Sequence, residues 1–367
     1  MHIVHVAGAL KGGPLSAIAE WTRLQTVAGH RISLIYSPLR DAPESFRGNL
    51  PPEVELYPLD IPRDIHPVSD FRACRSLTRL LATMQPDIVH LHSSKAGALG
   101  RIAARLVGIP AIYSTHGVAY LRTDVGIGTR ALFFALEWLL GFVGTVTVAC
   151  SPSEMATMRA IPGWKMVISN GIDLASLPPE DHSSSSQPGL QIVLCGRITA
   201  QKNPKLACQI AQISPPDWRW VWLGDGDLQD LVARSGRIEV LGWMPRAAAL
   251  ARLNASDIMV HTSSWEGMPL AILEAMAVGL PVVATNVVGN RDLVVPGETG
   301  FVADDAPAFL RALQSLAKSK DLRRKMGEAG RRRVVDEFDQ LRLGERWMDL
   351  YGQISRKRRA TAPARKP

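Results

Sequence analysis

Leu190-Gln-Ile-Val-Leu-Cys-Gly-Arg-Ile-Thr-Ala-Gln-Lys-Asn-Pro204 opens with a β-rich run, residues 191–195, that ends in Gly196 and passes into a loop carrying Arg197 and Lys202. A short apolar strand followed by a glycine turn is how a buried parallel strand reads. Downstream, strand-like runs recur at 219–223, 238–241, 257–261 and 281–284, with helical stretches between them. Upstream lies a different composition: Leu177-Pro178-Pro179, then Ser183-Ser-Ser-Ser186 and Pro188-Gly189, the signature of a linker. Before that linker the alternation is already present. Strands are expected at 3–6, 31–36, 87–92, 111–114 and 145–150, and helices near 15–28, 96–107, 129–141 and 152–158. The fold class is therefore α/β: two halves, each a parallel sheet covered on both faces, joined by a hinge. The expected boundaries are 1–170, a linker at 171–189, a second domain at 190–338, a helix at 339–355 that packs back across the linker, and a basic tail at 356–367.

The 367 residues suffice for about two such domains, and 46% of them are hydrophobic. Cys74, Cys150, Cys195 and Cys208 show no metal-like spacing, so reduced thiols and a cytoplasmic setting are expected. Met1-His-Ile-Val-His-Val6 reads as a first strand, not as a secretory leader. The most apolar stretch, 131–149, is interrupted by Glu137, Gly141 and Gly144, which favours a helix followed by a strand over a membrane span. Net charge is +8, with much of the excess in Arg356-Lys-Arg-Arg359 and Arg365-Lys366. Phosphorylated ligands, an anionic membrane surface and a merely solvated tail all fit that charge; nucleic acid has no other support in the chain.

The segment Glu266-Gly-Met-Pro-Leu-Ala-Ile-Leu-Glu274, continuing to Pro281, is the richest in chemistry. Pro269 suits the first position of a helix, Gly279 a left-handed stop, and Pro281 bars continuation, so a helix near 269–278 is expected. Its first amides, around Leu270 and Ala271, would form an anion site. Glu266 just before the helix and Glu274 in its second turn could each accept two O–H bonds from vicinal hydroxyls. The competing possibility is that Glu266 caps the helix and Glu274 is solvated. Arg197 and Lys202 set two cations at the carboxyl edge of a sheet, as a diphosphate leaving group requires, although such a pair is often inert. Gly12-Gly13 after the first strand would let backbone amides approach a ligand. His116, in Ser-Thr-His-Gly117 after a strand, could bond a sugar hydroxyl or be structural. Asp225-Gly-Asp227 resembles a metal-binding Asp-x-Asp, but a turn with an N-cap explains it better. His90 and His92 share one strand face with no third ligand nearby in sequence, which argues against zinc.

Taken together these residues resemble the retaining family-4 glycosyltransferases of the GT-B fold. The likeness spans the Gly-Gly loop, His116, Ser169-Asn-Gly-Ile-Asp173, the 196–204 loop and the Glu-x7-Glu helix. Within that family, Ser93-Ser-Lys-Ala-Gly97 with Gly100-Arg101, and Gly289-Asn-Arg-Asp292, look like the capsule, exopolysaccharide and lipopolysaccharide type; Arg291-Asp292 stands where the family more often has Pro-Glu, and Ser169 where proline is frequent. The resemblance implies two Rossmann-like domains facing across a cleft. It implies that Arg197 and Lys202 bind the nucleotide diphosphate, that Glu266 and His116 contact the donor sugar, and that Glu274 holds the ribose. Gly12, Gly13, Gly267, Met268, Pro269 and Leu270 would complete the donor site, with no metal and no cofactor. A UDP-sugar is the expected donor, ahead of GDP-mannose. A lipid-linked saccharide at the inner face of the membrane is the expected acceptor. The implied chemistry is a front-face substitution without an enzyme nucleophile. The alternatives are a GT-B epimerase and a non-enzymatic two-domain sugar-binding protein.

Overall fold

The computed structural model describes residues 1–8, 10, 13–38, 44–62, 64–178 and 189–361, without the side chains of 14, 44, 45 and 357–361. Gly12, residues 179–188 of the expected linker and the end of the basic tail lie outside the described residues. The chain forms two compact units: residues 1–120, 127–169 and 341–367, and residues 121–126 with 170–340.

The first unit holds a parallel sheet of β1 (His2–Ala7), β2 (Arg31–Tyr36), β3 (Glu55–Pro58), β4 (Ile88–His92), β5 (Ala111–Ser114), β6 (Val146–Ala149) and β7 (Trp164–Val167), in the order β3-β2-β1-β4-β5-β6-β7. The second unit holds β8 (Gln191–Cys195), β9 (Arg219–Leu223), β10 (Ile238–Gly242), β11 (Ile258–His261), β12 (Val282–Thr285) and β13 (Gly300–Ala303), in the order β10-β9-β8-β11-β12-β13. Both orders run outward from the first strand, reverse, and run outward again on its other side. That is the doubly wound Rossmann arrangement, with a switch point between β1 and β4 in one unit and between β8 and β11 in the other.

Every strand expected from the sequence is present, to within a residue or so at each end. The three strands it did not anticipate, β3, β7 and β13, are all sheet edges of four residues each. An edge strand is covered on fewer sides, so Glu55-Leu-Tyr-Pro58 and Trp164-Lys-Met-Val167 carry polar and half-exposed residues in place of a continuous apolar run.

The final helix runs Gln340–Thr361, longer than expected. Trp347, Leu350, Tyr351 and Ile354 bury into the first unit's core with Ile3, Ile18, Trp21 and Ile88. At about 1.5–3 kcal/mol for each large apolar side chain fully buried, four such anchors hold the helix firmly. On the opposite sheet face Val4, Val6, Val89 and Leu91 meet the helix Ser94–Val107. Two glycines let that helix sit close: a Cβ at Gly97 would lie 2.3 Å from the Tyr113 ring, and one at Gly100 would lie 2.2 Å from Leu91. The Ser-Ser-Lys-Ala-Gly segment is thus partly a packing device.

Glu137, which breaks the apolar stretch, lies on the helix Ile127–Leu140 and faces inward. Arg101 Nη2 donates to its Oε2 at 2.6 Å and the Tyr113 hydroxyl donates to its Oε1 at 3.1 Å. Among the described residues, no helix is long and apolar enough to cross a membrane.

Candidate active site

The loops that follow β8 and β11 meet at the second unit's switch point. Glycines in the neighbouring loops after β9 and β12 let those loops press against them. At φ +137°, Gly224 sits where a Cβ would stand 2.3 Å from the Gly196 carbonyl oxygen, and a Cβ at Gly289, φ +83°, would stand 2.4 Å from that of Gly267. Gly289 therefore backs the very loop that carries Glu266–Leu270.

At this point four side chains converge. Lys202 Nζ donates to Glu266 Oε1 at 2.6 Å, and the Ser263 hydroxyl donates to the same oxygen at 2.8 Å. His261 Nε2, at the end of β11, lies 3.3 Å from it and 3.0 Å from Ser263 Oγ. Gln201 bridges the two loops by donating to the Trp265 carbonyl at 3.0 Å. Burial works to raise the pKa of Glu266, but the Lys202 charge and hydrogen bonding from His261 outweigh it and hold the carboxyl at about 2. Burial, then the nearby Lys202, lowers His261 to about 4. At neutral pH the cluster is a Lys⁺–Glu⁻ pair on a neutral imidazole.

The helix begins at Leu270, so Pro269 is its N-cap and not its first residue. Proline offers no capping side chain. The amides of Leu270 and Ala271 accordingly have no partner among the described residues, as an anion site requires. Asn170 braces the approach by donating from Nδ2 to the Met268 carbonyl at 3.1 Å. Glu274 is neither solvated nor alone. Arg246 Nε donates to its Oε1 at 2.8 Å while Arg246 Nη1 donates to Ser176 Oγ at 2.7 Å. Burial pushes the Glu274 carboxyl up, against the pull of Arg246. Arg246 was not legible as a site residue because 28 positions separate it from Glu274.

Of the expected residues, the structure brings Lys202 and Glu266 into direct contact. Gly267, Met268, Pro269 and Leu270 follow at the helix entrance, and Glu274 sits inside it. Arg197 lies exposed on the Gly196 loop. Gly13 opens the helix Gly13–Val27 after β1. Asp225 and Asp227 do not cap the helix after them. That helix is Gln229–Arg234, its N-cap is Leu228, and the Asp225 carbonyl instead accepts from the Ile198 amide at 2.7 Å.

His116 sits in the first unit, just past β5, with φ +50° in the left-handed region. Its loop is fastened on both sides by Glu154: Thr115 Oγ1 donates to Oε2 at 2.8 Å, and the Gly117 amide donates to Oε1 at 2.9 Å. Ser151-Pro-Ser-Glu154 reads as a capping box, and Ser151 does cap the helix Pro152–Thr157. The glutamate, however, turns away to the Cys150 amide at 2.7 Å and to the His116 loop.

Strand register adds a neighbour that proximity in sequence does not show. His90 and His92 do have a third histidine beside them, because parallel register sets His5 opposite His90 on the neighbouring strand. Nitrogens of the three lie within 4.8 Å of one another. These nitrogens bond one another and their neighbours directly, with His5 Nδ1 and His92 Nε2 2.8 Å apart.

The geometry can be set beside known proteins. Residues 12–171 match the glycosyl transferase 4-like domain, and residues 181–333 match glycosyl transferases group 1. The chain is 33% identical over 320 residues to the UDP-Gal:alpha-D-GlcNAc-diphosphoundecaprenol alpha-1,3-galactosyltransferase of Escherichia coli, covering 79% of this chain and 81% of that protein. Among solved structures, sucrose-phosphate synthase from Thermosynechococcus elongatus superposes with a TM-score of 0.81 at 19% identity, covering 96% of this chain and 99% of that one. Anabaena HepE in complex with UDP-glucose gives 0.78 at 18% identity, over 96% and 100% of the two chains. With two doubly wound parallel sheets, matches to the family over both halves and 33% identity to a bacterial galactosyltransferase over 79% of the chain, the chain belongs to the family-4 glycosyltransferases of the GT-B fold.

Proposed function

We propose that the protein moves a sugar from a UDP-sugar to a hydroxyl of a lipid-linked saccharide, with retention of anomeric configuration and without a metal ion. The observation that carries this reading is the Lys202–Glu266 pair beside the uncapped amides of Leu270 and Ala271 at the second unit's switch point. The diphosphate would lie on those amides with Lys202 and Arg197 as its cations, and the ribose hydroxyls would bond Glu274. The sugar would meet Glu266 and His116, with the Gly12 and Gly13 amides at the phosphate–sugar junction. As the bond from C1 to the β-phosphate oxygen breaks, the acceptor oxygen bonds C1 on the same face. The acceptor's proton passes to the departing phosphate. Lys202 and the helix amides stabilise the charge that leaves, work that a metal ion does elsewhere. The Escherichia coli relative is named for UDP-Gal and a diphosphoundecaprenol acceptor and supports the choice of both; HepE was solved with UDP-glucose and supports the choice of donor.

The test is to incubate the full chain with UDP-galactose or UDP-glucose and a polyprenyl-diphosphate saccharide in excess EDTA, then read the product anomer by NMR. An α-linked product at undiminished rate is expected. A β-linked product overturns retention, and a rate lost to EDTA but restored by Mn²⁺ overturns metal independence and points to Asp225 and Asp227. Conversion of donor without acceptor would make the protein an epimerase, and faster turnover of GDP-mannose would displace the UDP-sugar.

The same reading places the enzyme at an anionic membrane surface through the cations of residues 356–367. Each cation near such a surface contributes about 1 kcal/mol, so removing these residues should weaken binding to phosphatidylserine vesicles more than ~10-fold. The buried anchors Trp347, Leu350, Tyr351 and Ile354 precede the cut, so the fold should survive. Co-sedimentation unchanged by truncation would sink the membrane role.

A further inference from the structure

Beneath His116 lies an unbroken line of hydrogen bonds through the core of the first unit. Gln25 Oε1 stands 2.8 Å from His5 Nε2, His5 Nδ1 stands 2.8 Å from His92 Nε2, and His92 Nδ1 stands 3.2 Å from His116 Nε2. A second branch leaves the same amide. Gln25 Nε2 donates to the Tyr351 hydroxyl at 3.0 Å, that oxygen lies 2.6 Å from His90 Nδ1, and His90 Nε2 lies 2.8 Å from Ser114 Oγ. Gln25, His5 and His90 are fully buried and His92 nearly so, with Trp21 stacked at 5.4–5.6 Å on His90, His92 and His116.

Three physical facts make this line directional. Burial keeps each imidazole neutral, lowering His5 and His116 to about 4 and His90 and His92 well below the usual range. A neutral ring has one N–H and one lone pair, so fixing one nitrogen fixes the other. An amide, unlike a hydroxyl or an imidazole, cannot exchange its donor and acceptor ends by moving a proton.

We infer that Gln25 sets the tautomer of His116 from the far end of this chain, leaving His116 protonated on Nε2 and presenting the bare Nδ1 lone pair as an acceptor. The Gln25 carbonyl accepts from His5 Nε2–H, so His5 Nδ1 accepts from His92 Nε2–H, and His92 Nδ1 accepts from His116 Nε2–H. His116 Nδ1 has no hydrogen-bond partner among the described residues and is open to a hydroxyl donor. On the other branch Tyr351 donates to His90 Nδ1, which in turn donates from Nε2 to Ser114. A turned Gln25 amide would reverse every bond and place the His116 proton on Nδ1. Gln25, His5 and His92 are thus positioning residues. This inference rests on the reading of His116 as a contact of the donor sugar, and gives that contact its polarity: a sugar O–H donates to the ring.

The experiment is long-range ¹H–¹⁵N NMR of the histidine rings in the full chain at neutral pH, with His116→Asn used to assign the His116 signals. The expected result is a single His116 tautomer with the proton on Nε2; a proton on Nδ1 overturns the proposal. Gln25→Met keeps the side-chain length but removes both polar ends, so neither polarity is imposed. Its His116 should show both tautomers, and kcat/KM for the donor should fall about 2- to 10-fold, since only one tautomer can accept the sugar O–H. An unaltered single tautomer in that variant overturns the proposal. If the variant does not fold, the wild-type spectrum still decides. Mixed tautomers with unchanged kcat/KM would support the relay and instead reject His116 as a contact of the reacting sugar.

Discussion

Replacing Glu266 by glutamine should lower turnover by roughly 100- to 1000-fold, the usual cost of removing a group that stabilises transition-state charge, while leaving UDP affinity undiminished or higher. Glu266 is ionised, with its carboxyl held at about 2, and it occupies Lys202 at 2.6 Å. A diphosphate arriving on Lys202 must share that cation with the carboxylate. Glutamine removes the competition but also the negative charge that, on the proposed reading, faces the sugar as it becomes cationic. Glu274→Gln should behave in the opposite way. On the proposed reading its contact is to the ribose, common to UDP and every UDP-sugar, so both should bind more weakly by about 1.5–3 kcal/mol. Calorimetric titration with UDP beside steady-state turnover separates the two roles. Equal weakening of UDP in both variants would show that the division is wrong. The same ionisation couples Glu266 to acid stability. With its pKa lowered from 4.5 to about 2, the group stabilises the fold above pH 4.5 and loses that contribution as pH falls through 2.

The largest effect on stability should come from Arg101→Met, about 3–5 kcal/mol. Arg101 is 1% exposed and bonds Glu137 at 2.6 Å and the Gly97 carbonyl at 3.0 Å, with its guanidinium 4.4 Å over the Tyr113 ring. Methionine matches much of its volume, yet leaves the Glu137 carboxylate buried with the Tyr113 hydroxyl donating to it at 3.1 Å. For a unit of this size the loss corresponds to a fall of roughly 6–20 °C in Tm. The double change Arg101→Met with Glu137→Leu should recover most of it, because an apolar pair of similar volume incurs no desolvation of charge. Calorimetric melting of the two variants checks this; a double variant as unstable as the single one would mean that packing, and not the stranded charge, causes the loss.

Which parts of this protein could be read from its sequence follows from how far apart the cooperating residues lie. The interior strands were legible because burial on both faces demands continuous apolar runs, as in residues 192–195 and 282–284. The helix after Glu266 was legible because proline and glycine mark helix ends locally, and the loop of Arg197 and Lys202 because it follows a strand directly. The edge strands β3, β7 and β13 were not, since half-exposed residues carry no period strong enough to announce them. Pairings across strands were beyond sequence altogether. That Lys202 meets Glu266, that Arg246 meets Glu274, that Glu154 fastens the His116 loop, and that Gln25 and His5 reach His116 through His92 are results of parallel register and helix packing. The sequence by itself determined two doubly wound units and the residue types of the proposed diphosphate site at the carboxyl ends of the second unit's strands. Tertiary structure alone decided which charges neutralise one another and which nitrogen carries a proton, because those depend on contacts a few ångströms long between residues 20 to 326 positions apart.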